Sequence, residues 1–178
     1  MKHHPIMQRQ AQEIFEEHSS YVYGVALMIT KSPAMADDVT QETFLRAFAK
    51  FHLYDSSRPI RPWLYRIAIN ITRSMHRKLR WQSLFGQVPE RDSGDSLELI
   101  ILAYERHREL WEAVSSLSKK QREVITLHYY AELPLRETVE TLDISLGTCK
   151  SRLNAALVKL RNNRHFGSKP LPVREGRQ

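Results

Sequence analysis

Leu117–Arg161 reads LSKKQREVITLHYYAELPLRETVETLDISLGTCKSRLNAALVKLR, and this stretch decides the fold. Its apolar residues recur at helical spacing, and turn chemistry divides it into three short helices. Ser118 and Gln121 form a capping box that opens the first, and Leu133-Pro134 closes it. Two further helices are predicted at about 135–142 and 146–163, joined by a tight turn through Asp143 and Ile144. Ser145 is placed to cap the second of these, its hydroxyl accepting from the amide of Gly147 or Thr148. That pair reads as a helix-turn-helix. The opening turns of its second helix carry Thr148, Lys150, Ser151, Arg152 and Asn154. In such a motif these turns enter the major groove. Arg and Lys suit guanine edges, Asn suits adenine, and Ser or Thr serves either. Leu153, Ala156, Leu157 and Leu160 fall on the opposite stripe and face inward.

Upstream the pattern stays helical. Helices are predicted at about 8–30, from Pro33 to about Phe51, from about Pro62 to Arg80, and over about 97–117. Ser32 and Pro33 suit an N-cap followed by the first helical position. Residues 52–62, HLYDSSRPIRP, read as a loop. Residues 82–96, QSLFGQVPERDSGDS, lose all periodicity and collect Gly, Pro, Ser and Asp. The expected architecture is all-α: two small helical domains, 1–81 and 97–178, joined by a flexible linker at 82–96. The tail GSKPLPVREGRQ is expected to be disordered.

Composition narrows the partners. The 178 residues carry a net charge of +7, which suits a polyanion. Charge is also segregated. Arg58, Arg61, Arg66, Arg73, Arg77, Lys78 and Arg80 lie in a stretch without acids, between Asp55 and Glu90. Acids gather at 37–42 and 90–112. The lone cysteine, Cys149, precludes an intramolecular disulfide and fits a reducing cytoplasm. No Cys/His cluster has metal spacing, and no carboxylates or nucleophile–base pair form a catalytic set, so neither cofactor nor enzymatic activity is expected. No apolar run is long enough to span a membrane, and MKHHPIMQRQ lacks the features of a secretion signal.

Two more constellations carry function. Tyr54–Trp81 combines the arginines with Tyr54, Trp63, Tyr65 and Trp81. Cations hold phosphates while aromatic rings stack on exposed bases, a combination suited to single-stranded or unpairing DNA. Arg66, Asn70, Arg73 and Arg77 share one helical face, whereas Trp63 is expected mostly in the core. On Ala36–Phe48, ADDVTQETFLRAF, the residues Asp37, Asp38, Gln41, Glu42 and Leu45 make a continuous acidic-polar face. An acidic face repels DNA, so it suits either solvent or a basic protein surface.

The order of these three constellations resembles the extracytoplasmic-function (ECF) sigma factors of the sigma-70 family. ADDVTQETFLRAF is similar to the region 2 helix that docks on core RNA polymerase. RPWLYRIAINITRSMHRK is similar to the region 2 segment that melts and reads the −10 element. LSKKQREVITLHYY with ISLGTCKSRLNAALVKLR is similar to region 4, which reads the −35 element. The resemblance spans about residues 10–165. It implies that Asp37, Asp38, Gln41, Glu42, Phe44 and Leu45 bind core polymerase. It further implies that Arg58, Arg61, Trp63, Arg66, Asn70, Arg73 and Arg77 serve the −10 element, the 52–62 loop capturing a flipped base. Thr148, Lys150, Ser151, Arg152 and Asn154 would serve the −35 element. Core RNA polymerase, promoter DNA and an anti-sigma factor are the implied partners of a cytoplasmic chain, monomeric when free.

The chain departs from the family pattern at three places. Glu137-Thr138-Val139 replaces Glu-Ile-Ala, Asp143 replaces a turn glycine, and Cys149 replaces a valine. Val139 therefore puts extra volume where the helices cross, and Asp143 must tolerate a left-handed backbone. The alternative reading is an autonomous helix-turn-helix regulator, with a sensor or dimerisation domain in residues 1–96.

Overall fold

The computed structural model describes residues 6–84 and 108–162, all of whose regular structure is helical. The expected linker from Phe85 onward, the helix over 97–107 and the tail lie outside the described residues.

Helix α1 spans Gln8–Thr30. It ends at Lys31, whose left-handed backbone (φ 61°) lets its N–H donate to Leu27 O at 2.8 Å. Ser32 then caps α2 (Pro33–Ala49), its hydroxyl accepting from the Met35 amide, and Pro33 occupies the first turn. A short 3₁₀ turn (Phe51–Leu53) leads to α3, Ile60–Leu84. Thus α3 starts before Pro62 and runs three residues into the expected linker. Proline costs nothing in a first turn, where its missing N–H would have no helical partner.

The second half opens with α4, Arg108–Ser115. The predicted capping box of α5 (Lys119–Ile125) is present: Ser118 Oγ accepts from the Gln121 amide, and Gln121 Oε1 accepts from the Ser118 amide at 3.0 Å. This helix does not run to Leu133. It widens into a π-turn, Thr126–Tyr130, closed by Ala131 N–H donating to Thr126 O at 2.9 Å. Glu132 then adopts φ 56° and reverses the chain into α6, Leu135–Leu142.

Asp143 forms the turn in the left-handed conformation, φ 54° and ψ 56°. A carboxylate side chain meets that steric demand better than most. Ser145 Oγ accepts from the Thr148 amide at 3.2 Å and starts α7, Leu146–Asn162. Val139 is partly buried and packs on the cluster that contains fully buried Cys149.

That cluster crosses the whole molecule. Val22, Val25, Ile29, Val39, Leu64, Tyr65 and Ile69 from α1–α3 join Val124, Leu127, Leu142 and Cys149 from the second half. A smaller cluster of Ala113, Leu117, Ile125, Ala156 and Leu160 holds α4, α5 and α7 together. Leu153 and Leu157 pack against it, as their spacing predicts. Burial pushes the Tyr65 phenol up to about 12, so it stays neutral in this core.

Two predictions follow from caps and buried groups. Ser145→Ala should lower stability by about 1 kcal/mol, because the Thr148 amide loses its acceptor at a helix start; urea unfolding reads this. His18 and His76 are both held below the ordinary imidazole value of 6.5. Burial is the main cause in each; at His76 the charges of Lys119 and Arg122 add to it. An unfolded chain therefore takes up protons before the folded one. The stability of the neutral imidazoles is complete above 6.5 and is lost as pH falls through the lowered folded values. Urea midpoints should drop across that window, and His76→Gln should flatten the slope.

Candidate nucleic-acid and polymerase interfaces

Helix α2 divides its expected acidic face between two grooves. Asp38, Gln41, Glu42 and Leu45 line a groove of about 350 Å³ against Ile71, Ser74 and Met75 of α3. Leu45 is 66% exposed, a large apolar side chain among the charged residues Asp38, Glu42 and Arg46. Glu42 pairs with Arg46 one turn on at 2.6 Å. Asp37 points elsewhere, into a hydroxyl-rich groove with Ser19, Ser20, Tyr23 and Thr40. Phe44 does not belong to the surface at all. It is 3% exposed and meets Phe15 edge to face at 4.9 Å, so its side chain holds α2 on α1.

The basic-aromatic set is also split. Asn70, Arg66 and Arg77 lie exposed along α3. Trp63, expected mostly in the core, is only half-buried: it packs on the core and stacks at 5.1 Å on Tyr54, whose hydroxyl donates to Arg58 O. Those residues and Arg66 line an open cleft of about 540 Å³. Its far wall is Pro134, Arg136, Glu137, Glu140 and Thr141, from the second half of the chain. Arg61 stacks its guanidinium 4.0 Å above the Tyr21 ring. Arg58 reaches Asp55 at 3.8 Å and Glu140 at 3.4 Å.

Arg73 is committed within the protein. Its Nη2 and Nε donate to the two Glu123 oxygens at 2.8 and 3.2 Å, and its Nη1 donates to Leu142 O at 3.3 Å. The Glu123 side chain is 3% exposed. Sequence spacing missed this partner because the pair joins residues fifty positions apart. Gly24 was missed as well. An isolated glycine inside a helical pattern costs about 1 kcal/mol and signals a packing reason. Here the reason is Tyr130: a Cβ on residue 24 would lie 1.9 Å from its hydroxyl oxygen.

On α7, Lys150, Ser151 and Asn154 are exposed on the opening turns. Arg152 is half-buried, and Thr148 is held by its hydroxyl at 2.9 Å from Ser145 Oγ. Burial raises the Cys149 thiol above its ordinary value, which keeps it protonated and unreactive. Among the described residues no cluster could hold a metal ion, and no helix is long and apolar enough to cross a membrane.

Residues 14–82 match the family described as sigma-70 region 2, and residues 107–160 match sigma-70 region 4. The ECF RNA polymerase sigma factor SigL of Mycobacterium tuberculosis is 32% identical over 158 residues, 83% of this chain and 85% of the relative. The ECF RNA polymerase sigma factor SigM of Bacillus subtilis is 30% identical over 159 residues, 84% and 91% of the two chains. Among solved structures, the fold is similar to the sigma factor RpoE in complex with the anti-sigma factor NepR from Bartonella quintana. That match has a TM-score of 0.72 and 21% identity, and covers 92% of this chain and 100% of that one. CnrH in complex with the cytosolic domain of CnrY matches with a TM-score of 0.65, 24% identity and 87% coverage of both chains. An autonomous regulator with a sensor domain in residues 1–96 is disfavoured, since region 2 occupies that segment. The chain belongs to the sigma-70 family, among its ECF RNA polymerase sigma factors, and is a transcription initiation factor rather than an enzyme.

Proposed function

We propose that the three surfaces divide promoter initiation between them. The α2–α3 groove docks on core RNA polymerase through Asp38, Gln41, Glu42 and Leu45. One observation carries this assignment: Leu45 stands 66% exposed in a groove that it shares with Asp38 and the Glu42–Arg46 ion pair. Apolar contact supplies affinity there, while carboxylates select a basic partner surface and set the register. Asp37 adds charge at the edge. Phe44 contributes by fixing the pitch of α2.

The −10 element falls to the basic face of α3 and to the cleft beside it. Arg66, Asn70, Arg73 and Arg77 follow the backbone, Arg58 and Arg61 flank the loop, and the Tyr54–Trp63 pair offers a stacking wall for an unpaired base. The −35 element falls to Thr148, Lys150, Ser151, Arg152 and Asn154 on α7. Region 2 accordingly forms the N-terminal domain, to about residue 81, and region 4 the C-terminal domain from about 97. A cytoplasmic chain, monomeric when free, fits these surfaces. The solved relatives are complexes with anti-sigma factors, which supports a partner of that class.

The division of labour is tested by separating its parts. Asp38→Lys or Glu42→Lys should abolish co-elution with core polymerase, while circular dichroism remains unchanged. Arg152→Ala should keep core binding and weaken −35 selection by about 1–3 kcal/mol, the worth of a bidentate base contact. Equal loss of core binding in all three variants would refute the division.

A further inference from the structure

The seam between the two halves gathers positive charge that it does not neutralise. On α3, Arg73, His76 and Arg77 share one face at steps of three and four. On α5, Lys119, Arg122 and Glu123 do the same. The fork of Arg73 on Glu123, at 2.8 and 3.2 Å, joins those two faces and uses both carboxylate oxygens. Lys119 lies in the field of Arg73, Arg122 and Arg77. Lys31, at the C-terminal end of α1, acts on Arg122 and on His76. Five cationic side chains thus crowd one carboxylate that is already taken. Among the described residues Lys31, Arg77 and Lys119 make no ion pair.

Much of this charge is out of water. Arg122 is 6% exposed, and its Nη1 donates to Ser115 O and Leu117 O at 3.3 and 3.0 Å. Its Nε is buried without a partner among the described residues, and so is His76 Nε2. Lys119 is half-buried. Burial is the main cause that holds the Lys119 and Lys31 ammonium groups below their ordinary value. Glu123 opposes it at Lys119, and neighbouring guanidinium groups reinforce it at both. Like charges brought together away from water repel, so the cluster costs stability until an anion joins it.

We propose that Lys31, Arg77 and Lys119, backed by Arg122 and His76, form a binding site for a small anion with more than one phosphoryl group. One phosphoryl group carries about −1.5 to −2 charges, so three uncommitted cations call for at least two such groups. Ammonium groups serve phosphate as point charges, and the Arg77 guanidinium adds a planar fork. Free pyrophosphate and the diphosphate end of a nucleotide share this chemistry. The cations converge from three helices, which suits a compact ligand better than the regular line of a nucleic-acid backbone. The site rests on fold and charge alone, not on the promoter assignments.

Isothermal titration calorimetry on the full-length chain tests it, with inorganic pyrophosphate and guanosine diphosphate in separate arms at matched ionic strength. Lys31→Gln and Lys119→Gln should each weaken pyrophosphate binding by about tenfold, the worth of one charge-assisted contact. Lys120→Gln, at an exposed position beside Lys119, should stay within about twofold of wild type. Tighter binding of the nucleotide, with the same loss in both variants, assigns the site to a nucleotide diphosphate. Equal or weaker binding assigns it to the free anion.

Urea unfolding supplies a second readout. Lys119→Gln removes a repelled charge, so its midpoint without ligand should rise. Pyrophosphate should then raise the wild-type midpoint more than that of the variant. A lysine kept only for packing would lower the midpoint when replaced. No saturable binding by wild type, equal weakening in Lys120→Gln, or a lowered unliganded midpoint in Lys119→Gln would each overturn the site. So would a parallel loss of affinity for a random-sequence DNA duplex in Lys31→Gln and Lys119→Gln, which would make the cluster a face that tracks DNA.

Discussion

The ion pair between Arg73 and Glu123 fixes how the two halves of this chain relate. Glu123 lies in the heart of α5, between Arg122 and the core residue Val124, and is nearly removed from water. A carboxylate there needs a charged partner, because breaking a buried pair leaves one charge without compensation. Arg73 supplies the partner from α3, one face over from the core residues Ile69 and Thr72. Its third contact, to Leu142 O, places positive charge at the C-terminal end of α6. One side chain therefore ties α3, α5 and the start of the helix-turn-helix turn together. The apolar cluster that runs from Val22 to Cys149 fills in around this point.

The proposed division of labour depends on keeping opposite charges on adjacent helices. The groove side of α2 carries Asp38 and Glu42, whereas α3 carries Arg66, Arg73 and Arg77. The two helices pack directly on each other, yet in the proposed division their exposed faces serve partners of opposite sign. A small bundle can thus meet a protein surface and a phosphate backbone together. The helix-turn-helix needs no more than a local set of devices: the Ser145 cap, the left-handed Asp143 and a small buried Cys149.

Local chemistry made much of this legible in the sequence. Ser32, Ser118 and Ser145 announce helix starts because each hydroxyl serves an amide three residues on. The ends of α6 were readable from Pro134 before it and the turn residue Asp143 after it. The π-turn at Thr126–Tyr130 was not, since wider winding leaves no mark in an apolar period. Adjacent residues on α2 gave another limit. Successive helical positions are rotated by about 100°, so Phe44 is interior and Leu45 exterior, though both are apolar. Asp37 and Asp38 part for the same reason. The seam stayed hidden because Arg73, Glu123, Gly24 and Tyr130 are distant in the chain and each looks ordinary in its own segment. Gly24 alone left a local trace, as a poor helix former within an apolar helix.

Promoter melting is the most direct measure of the central claim. Permanganate reactivity of unpaired thymines, read over a pool of promoter fragments, would be recorded with the purified chain, with core polymerase and with both. The account predicts reactive thymines at defined sites only when both are present, each upstream bounded by a protected −35 segment. Site-specific protection by the chain alone, with no new reactive thymine on adding polymerase, would contradict it.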